Sequence, residues 1–133
     1  MSALETSSPA ASARSTLALL PIAAVLLLSA CSAPGSDEEV VQSWLDREWS
    51  TIAQQFPDAQ RPAVEVEQYL APEAWAPRIV SCLHDAGHLN VELTPNGGFQ
   101  ANGAIDEAFE LARYTCFAAN PVDPVFLRDL PTG

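Results

Sequence analysis

Residues 72–87 read PEAWAPRIVSCLHDAG. Proline near the start of a helix and glycine just past its end are typical boundary residues, so this stretch predicts a helix that begins between Pro72 and Pro77 and ends at Gly87. Its apolar residues recur at helical spacing on one face: Trp75, Ile79, Cys82, Leu83 and Ala86. Because Cys82 lies on that face, we expect it to point into the core.

A second helix with a core-facing cysteine is predicted from about Ala104 to Ala119, where Asn120-Pro121 would end it. The apolar residues on one of its faces are Ile105, Ala108, Phe109, Ala112 and Cys116. Cys116 follows Ile105 by about three full turns, which places both residues on the same face.

An earlier helix is predicted to begin after Ser36, because Ser36 and Glu39 fit a capping box and acidic residues occupy the first turn. Apolar residues then recur until Pro57 stops the run: Val40, Val41, Trp44, Leu45, Trp49, Ile52, Ala53 and Phe56. At 100° per residue they cover about 220° of the helix surface, more than the roughly 100° that packing on one side requires.

This broad apolar surface has two interpretations. Either the helix is enclosed by its own fold, or one edge contacts a partner; that candidate interface consists of Trp49, Ala53 and Phe56. Glu48 falls inside the same surface, and a buried carboxylate without a partner is costly. We expect Arg78 or Arg113 to pair with it, unless Glu48 stays half-solvated at the rim.

The remaining segments are short. Residues 57–72 contain three prolines and predict a loop with at most one edge strand at 64–67, whereas 90–93 and 99–101 predict a hairpin around a Gly-Gly turn. The tail at 121–127 holds too much proline for a helix and is expected to be extended, with packing candidates Phe126 and Leu127. The predicted fold class is α+β and mostly helical, with about three helices and one hairpin.

Leu28-Ser29-Ala30-Cys31 closes an apolar run over residues 17–28 and resembles the lipobox of bacterial lipoproteins. The resemblance implies that residues 1–30 are a signal peptide, and that Cys31 carries a diacylglyceryl group at the outer face of the cytoplasmic membrane. A spanning helix would need roughly 20 apolar residues, and this run is shorter and contains Pro21. Residues 31–36 would then be a lipidated tether that spans at most roughly 17 Å, ahead of a single small domain at 37–133.

If the chain is exported, as the lipobox resemblance implies, its other two cysteines can form a disulfide, because disulfides persist outside the cytoplasm. With Cys31 lipidated, Cys82 and Cys116 are expected to form an intramolecular disulfide that joins their helices; the alternative is two buried free thiols.

A second resemblance covers roughly residues 75–127. CLHDAG at 82–87, the hairpin, YTC at 114–116 and NPVDP at 120–124 are together similar to small actinobacterial secreted lipoproteins of unassigned function. That resemblance implies a fold and a compartment, and it implies no activity.

Charge excludes several classes of function. The formal net charge is −11, and residues 31–133 retain it, with five arginines against sixteen acids. Such a chain repels nucleic acid phosphates and anionic headgroups. It contains no lysine, which removes Schiff-base and P-loop lysine chemistry.

The sequence predicts no catalytic, cofactor-binding or metal-ligating residue. His84 and His88 have a metal-ligand spacing, but Gly87 is expected to end the helix between them. Asp106 and Glu110 are expected to form a solvated acidic face.

The predicted function is therefore a non-enzymatic, lipid-anchored interaction or accessory subunit for a membrane or envelope component. The first alternative is a small ligand-binding lipoprotein with a pocket among Trp44, Trp75 and Phe99. A distant alternative is an envelope hydrolase that uses Glu48 or the Asp106/Glu110 pair.

Overall fold

The computed structural model describes residues 35–129. The predicted signal peptide, Cys31 and most of the tether lie outside the described residues. In chain order the elements are α1 (Asp37–Gln55), α2 (Pro72–Asp85), β1 (Val91–Leu93), β2 (Phe99–Ala101), α3 (Glu107–Ala119) and α4 (Pro124–Leu127). The mostly helical α+β class is confirmed.

The N-terminal end of α1 is capped as its sequence predicts. The Ser36 hydroxyl accepts from the Glu39 amide at 3.3 Å, and the Glu39 carboxylate accepts from the Ser36 amide at 2.7 Å. Both partners of the capping box are therefore present. The helix ends at Gln55, before Pro57, and its buried residues are Val41, Trp44, Leu45 and Ile52.

Helix α2 begins with Pro72 in its first turn and ends at Asp85. Gly87 has a φ of +94°, a left-handed conformation that glycine adopts without steric cost. Its amide donates to the His84 carbonyl at 2.9 Å, and the His88 amide donates to the Leu83 carbonyl at 2.9 Å. The glycine therefore turns the chain out of the helix, as predicted.

The hairpin pairs β1 and β2 antiparallel, with Val91 opposite Ala101 and Leu93 opposite Phe99. Gly97 supplies the positive φ of the turn, at +84°. Val91 is fully buried, which joins the hairpin to the core.

Helix α3 begins later than predicted. The Asp106 carboxylate accepts from the Phe109 amide at 2.8 Å, and this N-cap starts the helix at Glu107. Ile105 therefore precedes the helix and is 45% exposed, and Ala108 is exposed as well. The prediction that Ile105 shares the apolar face of this helix was wrong, because the Asp106 cap starts the helix after it; Ala108 lies within the helix but is exposed.

The C-terminal tail is not extended throughout. Pro124 occupies the first turn of α4, where its missing N–H costs nothing, and the Asp123 carboxylate caps the helix by accepting from the Val125 amide. Leu127 is buried as expected, but Phe126 is 44% exposed. A short fourth helix thus replaces part of the tail that was predicted to be extended.

The disulfide between Cys82 and Cys116 is confirmed, with their Cα atoms 5.8 Å apart. It joins α2 to α3 inside a core cluster to which α1, α2, β1, α3 and α4 all contribute. Cys116 is buried and Cys82 is half-buried at the edge of that cluster.

Asn120 is a polar residue that is fully buried at the end of α3. Its side-chain oxygen accepts from Gln68 and from the Arg78 guanidinium, both at 3.0 Å, and its amide nitrogen donates to the Cys116 carbonyl at 3.2 Å. One amide therefore connects the loop before α2, α2 itself and the end of α3.

Replacing both bridging cysteines in Cys82→Ala/Cys116→Ala should lower the free energy of unfolding by about 3.5 to 4 kcal/mol. A crosslink over this separation of 34 residues restricts the unfolded chain by that amount in the loop-entropy description. Urea titration of the purified protein measures the change, and reduced wild-type protein serves as the control. A loss below about 1 kcal/mol would contradict a major role for the crosslink.

Asn120→Ala should lower the free energy of unfolding by about 2 to 3 kcal/mol, because it removes the three hydrogen bonds of a fully buried side chain, one of them from the charged Arg78 guanidinium. Asn102→Ala is the matched control, since Asn102 is exposed and its side chain donates to the exposed Glu92. Urea titration should find the control within about 0.5 kcal/mol of wild type. Equal effects of the two substitutions would refute the connecting role of Asn120.

Candidate functional site

An open groove runs along α1, between this helix and the segment of residues 61–69. It consists of two adjoining cavities of about 400 and 450 Å³, which share Gln42 and Val64 as lining residues. We call it the α1 groove. Its volume lies within the range of small-molecule sites, and its length along a helix also suits a chain segment.

The end of the α1 groove near the start of α1 combines apolar and acidic side chains. Val41 and Val64 line it, and Val66 and Tyr69 remain 38% and 46% exposed. The acidic side chains at this end are Glu38 and Glu65. Exposed apolar side chains with a polar rim are typical of interaction surfaces.

The opposite end of the groove is built around Arg61. Its guanidinium lies 2.7 Å from the Asp46 carboxylate, donates to the Tyr114 hydroxyl at 2.7 Å, and stacks 5.4 Å from the centre of that ring. Burial alone lowers the pKa of Arg61, but the hydrogen bonds to Asp46 and Tyr114 outweigh it and raise the pKa above its ordinary value. Arg61 is therefore a fixed positive charge beside the cavity.

The backbone of the segment that borders the groove is unpaired over a long stretch. Among residues 35–129, none of positions 60–66 makes a backbone hydrogen bond, whereas the amides of Glu67 and Gln68 donate to the Ala119 carbonyl at 2.7 and 3.3 Å. Pro57 and Pro62 explain why no helix forms here. This segment is the loop that the sequence predicts, without an edge strand at 64–67, and the backbone donors and acceptors of positions 60–66 have no protein partner among the described residues.

Glu48 has the partner that its position requires. The Arg113 guanidinium lies 3.1 Å from Glu48 and also donates twice to Glu110, at 2.7 and 2.9 Å. Its charge lies 4.9 Å from the centre of the Phe117 ring. One arginine thus pairs with two carboxylates that lie on different helices, and the three groups together keep one negative charge.

The same contacts bear on the hydrolase alternative. Glu48 and Glu110 are both held by Arg113, and Asp106 caps α3 through the Phe109 amide. Asp106 and Glu110 therefore serve different structural contacts, and neither lines the cavities of the α1 groove. This arrangement gives no support to paired-carboxylate chemistry.

The predicted ligand pocket is filled by aromatic rings. Trp44, Trp75 and Phe99 all surround Phe117, whose ring centre lies 5.7, 4.9 and 6.1 Å from theirs. At these separations the rings are in contact. An open cavity lies instead in the α1 groove. Tyr114 and Val64 line it, and the sequence gives no signal for either residue.

The two histidines have separate environments. The ring of His84 makes a hydrogen bond of 2.7 Å between Nε2 and the Val91 carbonyl, and the ring of His88 lies edge-on to Phe109, 5.3 Å between centres. Within the part of the chain that is described, no cluster of three metal-ligating side chains occurs.

The candidate interface on α1 is largely engaged within the fold. Trp49 lies 5.4 Å from Tyr114 in an edge-to-face contact, and Phe56 packs on the core. Ala53 is half-buried. These contacts favour the interpretation that the broad apolar surface of α1 is enclosed by its own fold, and an interface at this edge stays a prediction.

Arg113→Met should lower the free energy of unfolding by about 3 kcal/mol, because it leaves Glu110, whose side chain is only 11% exposed, without its counter-charge. The double variant Glu110→Met/Arg113→Met should recover most of that loss, since it removes the buried charge as well. Urea titration of both variants makes the comparison. A double variant as unstable as the single one would contradict the pairing argument.

No protein-family model, curated protein or solved structure matches this chain. The resemblances to the lipobox and to small secreted lipoproteins therefore stay predictions. Within residues 35–129, none of the helices combines the length and apolar content that a bilayer span requires.

Proposed function

We propose that this protein is a lipid-anchored, extracytoplasmic interaction domain that acts as a non-enzymatic accessory subunit for a membrane or envelope component. The observation that carries the proposal is the α1 groove, whose Val66 and Tyr69 are exposed beside the first turns of α1. An open groove with exposed apolar side chains suits binding more than catalysis.

The disulfide supports the proposed compartment. A crosslink between Cys82 and Cys116 persists where thiols are oxidised, as outside the cytoplasm of bacteria. Together with the lipobox-like sequence at 28–31, it supports export and anchoring through Cys31. Two acyl chains on that cysteine give stable membrane attachment, whereas one gives only marginal attachment.

The proximity of anchor and groove supports an interaction with another membrane component. Gly35 follows Cys31 by four residues, which can span at most roughly 14 Å. The proposed anchor therefore keeps the groove at the membrane surface, where a membrane-bound partner is present at a high effective concentration.

A second candidate function is the binding of a small ligand. The cavity of about 400 Å³ beside Arg61 and Tyr114 favours it, because it places polar groups next to apolar Leu45 and Val64. Arg61 is paired with Asp46, so an anionic ligand would compete with that carboxylate for the guanidinium. Thermal-shift measurements with carboxylates and phosphates on wild type and Arg61→Gln separate this function from protein binding.

The proposal is tested on the full chain expressed in a bacterial host. Metabolic labelling with an alkyne analogue of palmitate should mark wild type and the variant Cys82→Ala/Cys116→Ala, and should leave Cys31→Ala unlabelled. Purification from gently solubilised membranes should return labelled wild type with a second component at comparable yield. Label on Cys31→Ala would refute the anchor, and wild type recovered alone would refute the accessory role.

A further inference from the structure

We propose that the domain binds its partner through one face at the anchor end of α1, and that this partner is a cationic, partly apolar extracytoplasmic segment of a membrane protein. The inference rests on the proposed function and names the class of partner. The face, which we call the anchor-end face, consists of Val66, Tyr69, Val125 and Phe126 with acidic residues around them.

Backbone contacts bring the two halves of this face together. The Asp123 amide donates to the Leu70 carbonyl at 2.8 Å, and the Leu70 amide donates to the Pro121 carbonyl at 3.0 Å. Leu70 and Val122 form an isolated parallel bridge. The segment that ends in Tyr69 therefore lies directly beside the residues that lead into α4.

Two further contacts hold α4 at the start of α1. Arg128 makes an ion pair with Asp37, and its guanidinium also donates to the Gly35 carbonyl at 3.4 Å. Leu127 is buried in the core, which leaves Val125 and Phe126 directed away from it. Because Gly35 is four residues from Cys31, this end of the domain is the one nearest the proposed anchor.

Exposed apolar side chains are concentrated at this end. Among residues 35–129, seven large apolar side chains are exposed, and four of them belong to the anchor-end face. Val125 and Phe126 are 54% and 44% exposed on a helix whose other two residues, Pro124 and Leu127, are buried. Aromatic residues such as Tyr69 and Phe126 are the side chains that most often anchor protein interfaces.

Charge distinguishes a protein segment from a lipid surface as the occupant. The acidic residues at this end are Asp37, Glu38, Glu65, Glu67 and Asp129. Arg128, the arginine of α4's C-terminal cap, is already paired with Asp37, and Arg78 lies 3.4 Å from Glu67. The remaining negative charge repels anionic headgroups and attracts a cationic segment, whose apolar side chains can contact Tyr69 and Val66.

The test uses photocrosslinking in the native membrane. The full chain carries p-benzoylphenylalanine in place of Tyr69, or in place of Leu89 as the control position. Leu89 is 76% exposed and follows the far end of α2, a helix of 14 residues and hence about 21 Å long. Irradiation followed by mass spectrometry identifies the crosslinked peptide.

We expect the probe at position 69 to form an adduct with an extracytoplasmic peptide of net positive charge, at least tenfold above the yield at position 89. In the chain that carries the probe at position 69, the added substitutions Glu38→Lys/Glu65→Lys should lower the adduct yield at least tenfold. Glu92→Lys/Glu107→Lys makes the same charge change away from the face, and should lower it less than twofold.

The inference would be overturned by an adduct with lipid at position 69 or by an adduct with a neutral or acidic peptide. An equal loss of adduct yield with the two charge-reversal pairs would overturn it too. A protein adduct at position 89 and none at 69 would also overturn it while leaving the accessory function intact. Absence of protein adducts at both positions would count against the accessory function itself.

Discussion

The disulfide between Cys82 and Cys116 fixes α2 against α3, and the other core elements pack around this contact. Phe117 follows directly after the bond and contacts Trp44 of α1, Trp75 of α2 and Phe99 of β2. The crosslink thus holds one aromatic ring at the point where three elements meet. A domain of this size buries a limited apolar area, so a crosslink that restricts its unfolded chain has a large effect on stability.

Polar contacts complete the arrangement around α3. At its C-terminal end, Asn120 joins the loop before α2 to α2 itself, and in its middle Arg113 pairs with Glu110 and with Glu48 of α1. Such groups are tolerated in the interior because each has its partners, and they favour one relative placement of the helices. The helix that carries the bridging cysteine therefore also carries the polar contacts that orient its neighbours.

The outer surface follows from what the core leaves uncovered. Helix α1 is enclosed along most of its apolar surface, but the proline-containing segment beside it forms neither helix nor strand and leaves the α1 groove open. Acidic and apolar side chains meet at the end of this groove that borders the start of α1, and the exposed Val125 and Phe126 belong to the same end. The net negative charge disfavours an anionic lipid surface there and supports the proposal of a cationic partner.

The sequence by itself determined the local boundaries, because these depend on residues a few positions apart: the Ser36–Glu39 cap, Pro72 and Gly87 around α2, and the Gly-Gly turn of the hairpin. It also predicted the Cys82–Cys116 pair, because both thiols lie on apolar helix faces, but it left open whether Glu48 pairs with Arg78 or Arg113 or stays half-solvated. Only the tertiary structure decided which arginine serves Glu48, that Phe117 fills the predicted pocket, and that Asn120 connects three segments. It also decided the α1 groove and the anchor-end face, because both are formed by segments distant in the chain whose proximity no local pattern encodes.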